Sequence, residues 1–119
     1  MQNSKFDLEE RTELFSTKVI EFCKKLPIST INKPIIDQLI RSATSIGANY
    51  CEANGADSKA DFKNKISICK KEAKETKYWL KMICVCNPEL KEQIKELFRE
   101  AEELSLIFAK IALSCKIIH

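Results

Sequence analysis

Two glycines and three prolines in 119 residues leave this chain few places to turn. Gly and Pro are the strongest local punctuators of regular structure. Here Pro27, Pro34, Gly55 and Pro88 stand at three points, so they cut the chain into four long segments joined by short links. Only Gly47 falls beyond the first turn of a segment. A fold of many short strands needs far more turns than this.

The spacing of apolar residues inside each segment is helical. The first segment, about residues 7–26, places Leu8, Phe15, Val19, Phe22 and Leu26 on one side, with Thr12 filling the gap. The second, 32–54, carries Ile36, Leu39, Ile40, Ala43, Ile46, Gly47 and Tyr50, with Asn32 as N-cap and Gly55 as the stop. The third, 58–86, opens at Ser58 with Asp61 three residues on, an acidic variant of the capping box. Phe62, Ile66, Cys69, Ala73, Thr76, Leu80 and Ile83 follow at alternating intervals of four and three. The fourth, 87–117, opens at Asn87-Pro88 and repeats the pattern from Ile94 through Leu97, Ala101, Leu104, Phe108, Ile111, Cys115 and Ile118. Such seams pack helices at about 20°. Short links make neighbours antiparallel, so the chain is expected to be a single all-α domain, an up-down-up-down four-helix bundle.

A second apolar set lies beside or outside these seams: Leu14, Ile20, Trp79, Met82, Cys86, Leu106, Leu113 and Ile117. Four helices of this length cannot easily bury all of it. Exposed apolar stripes mark interfaces, so self-association is expected, with Trp79, Met82, Leu106 and Leu113 as candidate contacts.

Composition excludes several functions. With 45% hydrophobic and 31% charged residues the chain is globular and not disordered. No run of 18 apolar residues is present, and the polar start from Met1 to Glu10 is unlike a signal peptide, so a cytoplasmic location is expected. The six cysteines form no Cys-x-x-Cys pair, and the sole histidine is His119. A zinc site or disulfide framework is therefore not expected, and the thiols read as reduced and inert. No cofactor, metal or catalytic constellation emerges.

Charge is uneven. Residues 58–86 hold eight lysines against three acids, a net +5 in a chain of net +3. Lys63, Lys70, Lys74, Lys77 and Lys81 fall within one side of that helix. A solvated face is the ordinary reading; a surface that follows phosphates of RNA or DNA is the sharper one. The three arginines, Arg11, Arg41 and Arg99, are too few for base-specific readout.

Three stretches carry a resemblance. They are Leu39-Ile-Arg-Ser-Ala-Thr-Ser-Ile-Gly-Ala-Asn-Tyr-Cys-Glu-Ala, Ser58-Lys-Ala-Asp-Phe, and Lys71-Glu-Ala-Lys-Glu-Thr-Lys-Tyr-Trp-Leu. Together they resemble the bacterial four helix bundle protein family, also called the 23S rRNA intervening-sequence protein family. The matching part is a little over a third of the chain and departs only at Tyr50-Cys51, where relatives carry Tyr-Arg or Ile-Ala. The resemblance implies a four-helix bundle assembled as a ring-shaped homopentamer, with no established catalytic residues. It also implies that some relatives are encoded within large-subunit rRNA genes. It further implies kinship with the accessory variability determinant of diversity-generating retroelements, which looks like a basic ring that binds nucleic acid and a reverse transcriptase.

On the second helical segment Ser42, Ser45, Asn49 and Glu52 form one polar line, and on the third Lys65, Glu72 and Glu75 form another, in step with Asp61 and Trp79. A structural network of Ser45, Asn49, Glu52, Glu72 and Glu75, tying the two helices or two subunits together, is favoured over a ligand site. Gly47 inside a helix costs up to about 1 kcal/mol relative to Ala, so close approach of another helix is expected there. Tyr78 and Trp79, being consecutive, are expected on different faces.

Overall fold

The computed structural model describes the backbone of residues 4–118 and the side chains of residues 8–115. Ile117 and Ile118, named above for their side chains, and His119 lie outside those described residues. Helix α1 spans Ser4–Lys24, α2 Asn32–Asn54, α3 Lys59–Cys86 and α4 Lys91–Ile118, with a 3₁₀ turn at Pro88–Leu90. No strand occurs among the described residues. The helices form an all-α four-helix bundle with extents of 46 × 30 × 20 Å. Each helix packs on its neighbours in sequence, and α1 also meets α4, the slightest of the four contacts.

The alternating apolar positions form the core. Phe15, Val19, Leu39, Ile46, Ile66, Leu80, Ile83, Leu104 and Phe108 are at most 1% exposed. Tyr50 meets Phe108 edge to face, with ring centres 5.6 Å apart. Between α1 and α2 the contact is made by small residues. A Cβ on Gly47 would lie 3.3 Å from the Thr12 hydroxyl oxygen, so α1 makes the close approach expected there. Beside it the Ser16 hydroxyl is within 3.5 Å of the Ala43 carbonyl. Between α2 and α3 the Thr76 and Ser42 hydroxyls sit 3.0 Å apart in the core.

Capping differs from expectation at two of three places. Ser58 does cap α3, its hydroxyl accepting from the Asp61 amide at 3.0 Å. Asn32 does not cap α2: the residue before the helix is Ile31, which makes no side-chain cap. The Asn32 backbone N–H instead donates to Ser29 Oγ at 2.9 Å. Asn87 likewise has no cap bond and precedes the 3₁₀ turn, with α4 proper beginning at Lys91. The two asparagines bond to each other, Nδ2 to Oδ1 in both directions, at 3.1 and 3.3 Å. Asn32 also donates to the Pro27 carbonyl and Asn87 to that of Ile83. Both are nearly buried, 4% and 3% exposed, where an amide must find partners. Together they fasten the α1–α2 link to the α3–α4 link at one end of the bundle.

All six cysteines are free thiols. Burial pushes Cys69 up to about 12 and Cys23 up to about 11, so neither forms thiolate at neutral pH. Iodoacetamide at pH 7.5 is therefore expected to alkylate exposed Cys51 and leave Cys23 and Cys69 unmodified until the protein is denatured. Peptide mass mapping reads the result. Labelling of Cys69 in the native protein would contradict this packing.

Candidate functional site

Two surfaces gather the residues singled out in the sequence. The first is the outer groove between α2 and α3. Arg41, one turn before Ser45 on the same line of α2, reaches across to both α3 glutamates. Its guanidinium lies 3.3 Å from Glu72 and 2.6 Å from Glu75. Glu75 also accepts from the Trp79 indole at 3.5 Å. About three turns of α2 further along, Glu52 pairs with Lys65 at 2.7 Å. Asn49 bonds only within its own helix, its amide donating to the Ser45 carbonyl at 2.8 Å. The polar residues thus stand as three separate groups along one groove and not as a continuous chain. Ser45 and Asn49 are half-buried and Glu52 exposed. The buried hydroxyl link between the helices is Ser42 with Thr76, just inside the groove.

Arg41 was legible but overlooked: a cation on the polar line, opposite two acids three residues apart on α3, signals a bridge. Its pKa is raised above the usual guanidinium value, chiefly by the hydrogen bond to Glu75. Partial burial would raise the Glu75 carboxyl, but the bonds from Arg41 and Trp79 outweigh it and hold that carboxyl below the ordinary 4.5. A carboxyl with a lower pKa folded than unfolded brings stability that is complete above 4.5 and is lost as pH falls through the folded value. Wild-type melting temperature should therefore drop below pH 4.5, and Arg41→Gln should show a smaller drop over that range. Parallel circular-dichroism melts check this; equal acid sensitivity would mean that the pair contributes nothing, as many exposed pairs do.

Tyr78 and Trp79 divide as expected, Trp79 onto the core and Tyr78 outward, yet their rings stay in contact. Their rings meet edge-on with centres 5.0 Å apart, because consecutive helical residues are about 100° apart and large rings bridge that arc. Trp79 packs on the core while Tyr78 is 52% exposed. Met82, one turn beyond Trp79, is half-buried. On α4, Leu106 and Leu113 are 61% and 57% exposed and lie two turns apart on one line.

The second surface is the lysine row of α3. The structure divides it. Lys77 pairs with Glu102 of α4, and Lys81 lies over the Phe98 ring, 5.7 Å from its centre. These two side chains serve the α3–α4 seam. Lys63, Lys70 and Lys74 have no carboxylate partner among the described residues. The reason is in the sequence of the facing helix. Glu89, Glu92, Glu96, Glu100, Glu102 and Glu103 all precede residue 104, and residues 104–119 contain no acid. Antiparallel packing, with Lys77 opposite Glu102, sets the first half of α3 against this acid-free half, which adds Lys110. One end of the α3–α4 face is therefore basic and unpaired. Among the described residues no cluster of His, Cys, Asp and Glu could hold a metal. Among the described residues no helix is long and apolar enough to cross a membrane.

The sequence profile described as "23S rRNA-intervening sequence protein" matches residues 4–110. A crystal structure of a protein of unknown function from the S23 ribosomal protein family of Bacteroides thetaiotaomicron is similar, with a TM-score of 0.76 and 32% sequence identity. The similarity covers 87% of this chain and 96% of that one. No curated protein matches the chain. A profile match over nearly the whole bundle, together with a solved relative of the same architecture, places this chain in the 23S rRNA-intervening sequence protein family.

Proposed function

We propose that the protein is a non-enzymatic helical scaffold that assembles with copies of itself, as a pentamer, and binds RNA or DNA without sequence preference through the basic α3–α4 face. The observation that carries this reading is the charge segregation. Lys63, Lys70 and Lys74 stand opposite an acid-free stretch, where cations that do not pair internally are free to meet phosphates. Lys110 extends the same patch. Assembly in a ring would repeat the patch in every subunit, and multivalent display raises avidity without new contacts. Exposed Leu106 and Leu113 supply apolar surface of the kind that subunit contacts cover.

Light scattering on dilute protein tests the assembly: a mass near five times the 13.6 kDa chain is expected, and 13.6 kDa would sink it. Fluorescence anisotropy with unrelated RNA and DNA oligonucleotides at two salt concentrations tests the binding. A second reading, an interaction module for one protein partner such as a reverse transcriptase, rests on the same exposed leucines. It takes precedence if an assembled wild type binds no nucleic acid at low salt.

A further inference from the structure

At the end of the bundle opposite the paired asparagines, α1 and α4 do not close on each other. A cavity of about 830 Å³ lies between them, within the range of small-molecule sites, roughly 300–1,000 Å³. Its walls are apolar: Leu8 from α1, Ala53 from α2, Phe62 from α3, and Ile107 and Ile111 from α4. The gap has a cause in the packing. Small residues at Thr12 and Gly47 draw α1 onto α2. Toward α4, α1 is linked by the ion pairs of Arg11 with Glu100 and Glu103, at 2.7 and 2.6 Å. Long charged side chains bridge a space without filling it.

The slot's polar lining comes from Arg11, Tyr50, Asn54, Lys110 and Ser114. Its two charged lining residues, Arg11 and Lys110, are both cations. Arg11 is already neutralised by its two glutamates, and the nearby Glu9 carboxylate accepts from Asn54 at 3.2 Å. Lys110 is exposed and has no carboxylate partner among the described residues. The Tyr50 phenol, raised above its usual pKa by burial, stays protonated and able to donate.

We propose that this cavity binds one unbranched acyl chain ending in a carboxylate, the chain lying between α1 and α4 and the head at Lys110. The proposal goes beyond the scaffold reading and stands without it. Its basis is the conjunction of an apolar slot that the described side chains leave unfilled with a cation at its edge that no acid among them occupies.

Calorimetric titration of fatty acids, kept below their micellar concentrations, into the full chain tests it. One molecule per chain is expected, with affinity rising about fourfold for each methylene from octanoate to dodecanoate, the gain of burying a CH₂. Octanoate should bind more tightly than octanol, and Lys110→Glu should abolish that preference while leaving octanol binding unchanged. Ile107→Trp, which fills the slot, should remove binding of both. Ala53→Leu fills it from another wall and decides the matter if the first variant loses helicity. Absence of dodecanoate binding, undiminished binding to a filled variant, or affinity independent of chain length would overturn the proposal. Equal affinity for octanol and octanoate would overturn the assignment of the head to Lys110.

Discussion

Phe108→Ala should lower the unfolding free energy by about 3–5 kcal/mol, the usual cost of emptying a buried aromatic site. Phe108 is fully buried, on the α4 seam, and its ring meets Tyr50 of α2 edge to face at 5.6 Å. That pairing adds about 0.5–1.5 kcal/mol beyond area burial, which places the loss toward the upper part of the range. Domains of this size are stable by only about 6–18 kcal/mol, at roughly 0.05–0.15 kcal/mol per residue. The single truncation therefore removes a large fraction of the total, a melting-point drop on the order of 12–20 °C. Urea denaturation at fixed protein concentration gives the free energy, and the concentration must be fixed because assembly would itself stabilise the fold. A loss under about 1 kcal/mol would mean that neighbouring side chains collapse into the space. Tyr50 also lines the cavity at the α1–α4 end, so the void left by Phe108 would adjoin one already present.

The seams that hold Phe108 were legible in the sequence because alternating intervals of three and four fix a helix face without reference to anything else. The close approach at Gly47 was legible for a related reason. A glycine inside a helix calls for a close neighbour, and that neighbour is Thr12. Asn32 and Asn87 were misread because an asparagine near a proline satisfies the local rule for a cap, whereas its amide goes to whichever partner burial leaves available. That partner was 55 positions away, in another link. Arg41 was missed for want of the register between α2 and α3, which decides whether Glu72 and Glu75 face a cation or water. The lysine row shows the same limit from the other side. Five lysines on one helical face look equivalent until α4 is laid beside them. Only then does Glu102 claim Lys77, and Phe98 claim Lys81. The cavity has no sequence signature, since it arises from how closely α1 leans on α2 and how little it meets α4.

That division of the lysines yields the functional prediction with the largest effect. Replacing Lys63, Lys70 and Lys74 together with Gln should weaken binding to unrelated RNA and DNA alike, because phosphate contacts carry no sequence information. Each lysine that meets a phosphate releases counterions, and on duplex DNA the log–log salt slope changes by about 0.9 per contact. Loss of three contacts should make the slope shallower by about 2.7, with the greatest loss of affinity at low salt. Helicity should be unchanged, since Gln is nearly as good a helix former as Lys. Lys77→Gln is the informative control. Its ammonium is held by Glu102, so the variant should keep the wild-type salt slope and lose at most about 1 kcal/mol of stability, as partly exposed pairs do. Anisotropy titrations across a salt series, run on the triple and single variants at matched concentration, separate the two outcomes. If Lys77→Gln flattens the slope as much as the triple variant does, the basic surface is the whole α3 row and not its unpaired half. If neither variant changes the slope, the lysines are a solvated face and nucleic acid is not their partner.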